Sequence, residues 1–157
     1  MKKHFLQTVT LTMCIALFSV TQLSAQKAKW IFNYKIANTS EELAKIMDDP
    51  KSNIIRSKKD FRLYVQTNAK LAKAFQKKGL LKTVASTMKF NERGLKTFSF
   101  AALAEAYPKR YKDLLSELTP GFGFEMETLG VDYEGYACTG PATCETSQRS
   151  ICIGNNC

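Results

Sequence analysis

Histidine is nearly absent from this chain of 157 residues, which holds one, His4. It lies in an N-terminal segment that reads as an export signal, so the mature protein is expected to have none. That excludes a Ser-His-Asp triad, a Cys-His pair and any histidine-ligated metal site. Long hydrophobic runs are missing too. Beyond the first segment, no stretch reaches the 18 apolar residues that a membrane span needs. Nor is there a glycine-rich phosphate loop, because Gly121 and Gly123 lead into Phe124 and Glu125 rather than into Lys-Ser or Lys-Thr. Cysteine is absent between Cys14 and Cys138, and no CxxC pair occurs anywhere. The usual motif of thiol-exchange catalysis is therefore lacking.

The N-terminus carries the order expected of a signal peptide. Lys2 and Lys3 are followed by a polar-flecked apolar stretch over residues 5–23, then by Ser24-Ala25 with Gln26 after them. Cleavage near Ala25 makes residues 1–25 the signal and leaves no retained transmembrane segment. The expected location is secreted or periplasmic. Cys14 sits too deep in the apolar stretch for lipid attachment, and Met13 before it is bulky.

The remainder divides by charge. Residues 26–120 hold 20 lysines and arginines against 9 acids, whereas residues 121–157 hold one arginine against 5 acids. All four remaining cysteines fall in the second region. This predicts a basic, mainly helical domain over 26–120 and an acidic, cysteine-rich tail over 121–157, joined at Pro120-Gly121.

In the basic region Thr39 and Glu42 form a capping box ahead of Leu43, Ile46 and Met47, with Asp48-Asp49-Pro50 as a stop. A second helix is capped by Ser57, favoured by Asp60 at its positive end and stopped by Gly79. Its apolar face comprises Phe61, Tyr64, Val65, Leu71, Ala72 and Phe75, spanning about 20 residues or roughly 30 Å. Residues 84–90 and 95–100 alternate around Asn91-Glu92-Arg93-Gly94 and predict a β-hairpin. Ser99 then caps an Ala/Leu-rich helix, Pro108 interrupts it, and Tyr111, Leu114, Leu115 and Leu118 supply the next apolar face. The fold class is thus mainly α, or α+β if the hairpin forms.

Cys138, Cys144, Cys152 and Cys157 are separated by five, seven and four residues. An even count in an exported chain points to two disulfides, with three pairings open. Zinc is the competing use, but structural zinc sites bring cysteines in closer pairs, so no metal and no cofactor are expected.

Seven cations on or beside the second helix, Lys58, Lys59, Arg62, Lys70, Lys73, Lys77 and Lys78, are candidates for binding an anionic surface. Arg56 and Lys82 flank them. Export and the lack of a recognisable module disfavour nucleic acid. Glu125 with Glu127, and Asp132 with Glu134, repeat a two-residue spacing, yet no pocket-forming pattern surrounds them. The reading is an exported noncatalytic interaction protein whose partner is another protein or an anionic envelope surface. The alternative is a precursor whose disulfide-bonded C-terminal peptide, a toxin, bacteriocin or signal, is released by a cut in residues 118–129.

Overall fold

The computed structural model describes residues 35–126 and 134–157, so the signal-peptide assignment and the candidate carboxylates Glu127 and Asp132 lie outside the described residues. Helix α1 (Ser40–Asp48) starts where the capping box puts it. Thr39 Oγ1 accepts from Glu42 N–H at 3.1 Å, and the Glu42 carboxylate accepts in return from Asn38 N–H at 2.7 Å.

The second predicted helix is present as two. Helix α2 (Lys58–Thr67) is capped by Ser57, whose Oγ accepts from Asp60 N–H, and a single residue separates its end from helix α3 (Ala69–Phe75). Asn68 makes the break. Its backbone is extended, its N–H still donates to Tyr64 O, and its side-chain oxygen accepts from both Lys70 N–H and Leu71 N–H. The break has a packing reason. In one straight helix Phe61 and Phe75, fourteen residues apart, would stand about 21 Å from each other. Here their rings meet edge to face at 5.9 Å. Gly79, at φ +81°, then turns the chain into helix α4 (Leu80–Thr87).

Helix α4 occupies most of what alternation suggested as the first arm of the hairpin. Leu80, Val84 and Ala85 are buried at helical spacing. The hairpin itself is shorter, β1 (Lys89–Asn91) and β2 (Gly94–Ser99), turning at the expected residues. Asn91 Oδ1 accepts from the N–H groups of Arg93 and Gly94 in that turn. Two short helices follow, α5 (Ala101–Ala106) and α6 (Tyr111–Leu118), with Pro108 between them, and a 3₁₀ turn (Thr119–Phe122) ends the helical part.

Strands β3 (Glu134–Gly140) and β4 (Thr143–Cys152) complete an antiparallel sheet of order β1-β2-β4-β3. The result is a mixed helix-and-sheet domain with a disulfide-linked tail. Helices and sheet share one core, in which Phe61, Phe98, Phe100, Phe122, Leu71, Leu103 and Ile151 are all essentially inaccessible to solvent. The join after α6 is part of that core. Ile55 N–H donates to Gly121 O at 2.7 Å and Ala37 N–H to Gly123 O at 2.9 Å. A Cβ on Gly121 would stand 2.6 Å from Ile55 Cδ1 and 3.0 Å from the Tyr64 ring, so a larger residue here would force these buried side chains to shift.

Arg56 locks these parts together. Its Nη1 donates to the carbonyls of Met47, Glu92 and Arg93, and its Nη2 donates to Asp49 O and Ser52 Oγ. Arg56→Lys supplies one ammonium where a planar fork spans three segments, leaving part-buried carbonyls without donors. Chemical denaturation should show a loss of about 2–4 kcal/mol; a change within experimental error would show that the clamp is dispensable.

Candidate functional site: the cysteine nest and the cationic helices

The tail's two bridges are Cys138–Cys157 and Cys144–Cys152. Sequence spacing left three pairings open; strand geometry selects this one. Cys144 and Cys152 are eight residues apart within one strand, which when extended would separate them by about 27 Å. Their Cα atoms are instead 6.1 Å apart. Strand β4 folds back on itself to achieve this. Tyr136 of β3 pairs with Thr146, whereas Glu134, two residues earlier, pairs with Ile151. The excess length is taken up around residues 147–150, where Arg149 adopts φ +57° and Ser147 Oγ meets Ser150 Oγ at 3.1 Å. The arm beyond the fold pairs with β2 through Ser150, Ile151 and Cys152.

The chain end is keyed into the domain. Ile153 N–H donates to Lys96 O, and in the closing 3₁₀ turn (Gly154–Asn156) the buried Asn156 side chain donates to Leu95 O at 2.7 Å. Asn155 reaches Ser40 O, and Asn91 donates back to Asn156 O. Cys157 follows, close enough to β3 to bond Cys138 across a Cα separation of 5.5 Å. The sulfurs of Cys138, Cys152 and Cys157 consequently lie within 4.8 Å of one another. All four cysteines form one nest, with Cys138 and Cys152 buried and Cys144 and Cys157 partly exposed. None of the four is a free thiolate in this pairing.

The seven candidate cations divide into two groups. Three are engaged by the protein itself. Lys58 Nζ donates to Ser86 O; Lys70 pairs with Glu117 at 2.5 Å; Lys77 donates to Ala106 O and sits 5.7 Å above the Tyr107 ring. The other four, Lys59, Arg62, Lys73 and Lys78, are exposed and have no partner among the described residues. The apolar faces beneath them are spent. Phe61, Tyr64, Val65, Leu71, Ala74 and Phe75 are all buried in the core, so the folded helices present charge outward and no hydrophobic stripe.

Sequence reasoning missed two features here. Arg56 was grouped with the surface cations but is the internal clamp described above. Lys35, Lys45 and Lys51, spread over three unrelated stretches, surround a hollow of about 350 Å³ together with Ile46, Asp49, Ser52 and Asn53. No periodicity could have joined them.

The hydrogen bond from Lys70 holds the Glu117 carboxyl below its ordinary value of 4.5, aided by a second from Asn68; burial opposes both, and the Lys70 charge adds the smallest effect, again downward. This contact joins α6 to the break between α2 and α3. Against known proteins, the chain matches no protein-family model, no curated protein and no solved structure.

Because Glu117 is easier to ionise in the folded state, it stabilises the fold above its unfolded pKa, and that contribution disappears as pH falls through the lower folded value. Glu117→Gln should therefore lower the melting temperature at neutral pH but not well below pH 4.5. Both partners are partly exposed, so the loss should stay under about 1 kcal/mol and shrink in high salt. A loss equally large in acid would assign the effect to packing instead.

Proposed function

We propose that this is an exported, noncatalytic interaction protein that binds an anionic envelope surface peripherally through the cations of α2, α3 and the turn after them. One observation carries the reading: Lys59, Arg62, Lys73 and Lys78 stand exposed and unpaired among the described residues, while Lys58, Lys70 and Lys77 are held by the protein. The buried apolar face argues for attachment by charge without insertion. Among the described residues no helix is long and apolar enough to cross a membrane. A noncatalytic role is supported by the composition of residues 26–157, which contain no histidine.

The reading has a direct test in vesicle co-sedimentation. Binding to anionic but not neutral vesicles is expected, falling with salt and without release of trapped dye. Each cation at the surface contributes up to about 1 kcal/mol, so Lys59→Ala, Arg62→Ala, Lys73→Ala and Lys78→Ala together should weaken binding by up to roughly three orders of magnitude. Substituting Lys58, Lys70 and Lys77 should matter far less. Equal binding to neutral vesicles, or an unaffected quadruple variant, would remove the proposal.

The released-peptide alternative needs a cut within residues 118–129. Burial of Phe122 and Phe124 in the core supports the uncut chain instead. The intact mass of the exported product separates the two. A species of 132 residues from Gln26 to Cys157, with four cysteines alkylated only after reduction, is the expected result. A fragment beginning in 125–133 would make the tail the product.

A further inference from the structure

We propose that the nest of four cysteines is a thiol-exchange site: a partner thiol entering at Cys144 converts the Cys138–Cys157 and Cys144–Cys152 bridges into Cys138–Cys144 and Cys152–Cys157. The inference rests on two independent placements. The Cys152 sulfur, though bonded to Cys144, lies within 4.8 Å of both sulfurs of the other bridge. And Cys138 stands directly opposite Cys144 in the β3–β4 register. Directly opposed residues on antiparallel strands point to the same face, with Cα separations of about 4.5–5.5 Å, inside the range a disulfide spans. Both bonds of the second pairing are therefore within reach of the first.

Accessibility orders the steps. Cys138 and Cys152 are buried, which leaves Cys144 and Cys157 for an incoming thiolate. The carbonyl oxygens of Gly140 and Thr143 lie 2.9 Å and 3.0 Å from the Cys157 sulfur. Since a disulfide sulfur has no proton to donate, these are close oxygen contacts that crowd the Cys157 sulfur against a thiol arriving from solution, whereas the Cys152 sulfur already lies within 4.8 Å of it. Attack falls on Cys144. The entering thiolate bonds the Cys144 sulfur, and the Cys144–Cys152 bond breaks with its electron pair on Cys152. The Cys152 thiolate then attacks the Cys157 sulfur, forming Cys152–Cys157 and expelling Cys138 as thiolate. Cys138 attacks Cys144 across the strand pair, forms Cys138–Cys144 and returns the entering thiolate. Nothing is oxidised or reduced overall, and the thiol is consumed only transiently. Its chemical class is an accessible monothiol, either a small molecule such as glutathione or a cysteine of another protein.

The exchange changes what the bridges hold. In the first pairing, one bond closes the folded strand β4 and the other ties the chain end to β3. In the second, each bond is local, and none joins the two sides of Arg149. That residue provides the test. It is exposed, and it is the single lysine or arginine after Lys112. Trypsin therefore divides this region into residues 113–149, with Cys138 and Cys144, and residues 150–157, with Cys152 and Cys157. The first pairing keeps the two fragments bonded; the second frees them.

The oxidised full-length exported chain would be incubated with glutathione at about 1 mM and about pH 8, where thiolate is available. Free thiols are then alkylated, the protein unfolded without reductant, digested and weighed. The expected result is a free fragment 150–157 that is unalkylated and two hydrogens lighter than its dithiol form, increasing with incubation time. Brief incubation should trap glutathione on Cys144 before any other cysteine. Fragments that stay bonded until full reduction would overturn the proposal. So would a fragment released only with both cysteines alkylated, which reports reduction and not exchange.

Discussion

Arg56 is the constraint on which the rest of the arrangement depends. Among the described residues its guanidinium meets no carboxylate; its charge is instead taken up by carbonyl oxygens at the end of α1, in the turn after it and in the β1–β2 turn. A cation at a helix C-terminus is stabilised by the helix dipole, and the planar fork fixes directions that a flexible ammonium would not. Because three segments converge on one side chain, α1 and residues 54–55 are held against Gly94 and Gly123. At these two glycines an added Cβ would meet Ile54, Ile46 or Met47 at 3.2–3.9 Å. The same chain segment places Ile55 to donate to Gly121 O. The clamp thus positions the strip through which helices and tail share a core.

Strand β4 imposes the second constraint. It lies between β2 and β3, so residues from the acidic, cysteine-rich stretch pair directly with residues from the basic stretch. Ile151, Cys152 and Ile153 are buried beside Phe98 and Leu95 in the common interior. Folding β4 around Arg149 lets one arm pair with β3 and β2 while the other turns back to β3, and this brings Cys144 to Cys152. The cysteine nest is accordingly a product of sheet order, and the asparagines of the last turn seat the end of the chain beside it.

How much of this could be read along the chain depended on how local the cause was. Caps are local: Thr39 with Glu42 and Ser57 with Asp60 act over three or four residues, and both helix starts fall where these residues place them, whereas Gly79, expected as a helix stop, instead precedes the start of α4 while α3 already ends at Phe75. The break at Asn68 was hidden because its neighbours continue a helical pattern. What makes it favourable is Phe75 reaching Phe61, and Glu117 from a distant helix holding the Asn68 amide. Residues 84–88 fit both periods over so short a window, and packing of Val84 and Ala85 in the core resolves them as helix. Likewise, charge along α2 and α3 was visible, but which lysines are tethered depends on Ser86, Ala106 and Glu117, none of them sequence neighbours.

Composition and short-range pattern determined the helices of the basic stretch, the hairpin turn, the inward faces of the helices and the presence of two disulfides in the tail. Each follows from side-chain chemistry acting within a few residues. Tertiary structure decided the split of the long helix, the insertion of β4 beside β2, the pairing of the cysteines and the internal role of Arg56. These are settled by contacts that no short pattern encodes, from the eight positions between Cys144 and Cys152 to the fifty-five between Thr97 and Cys152, whose energies exist only once the chain has brought the residues together.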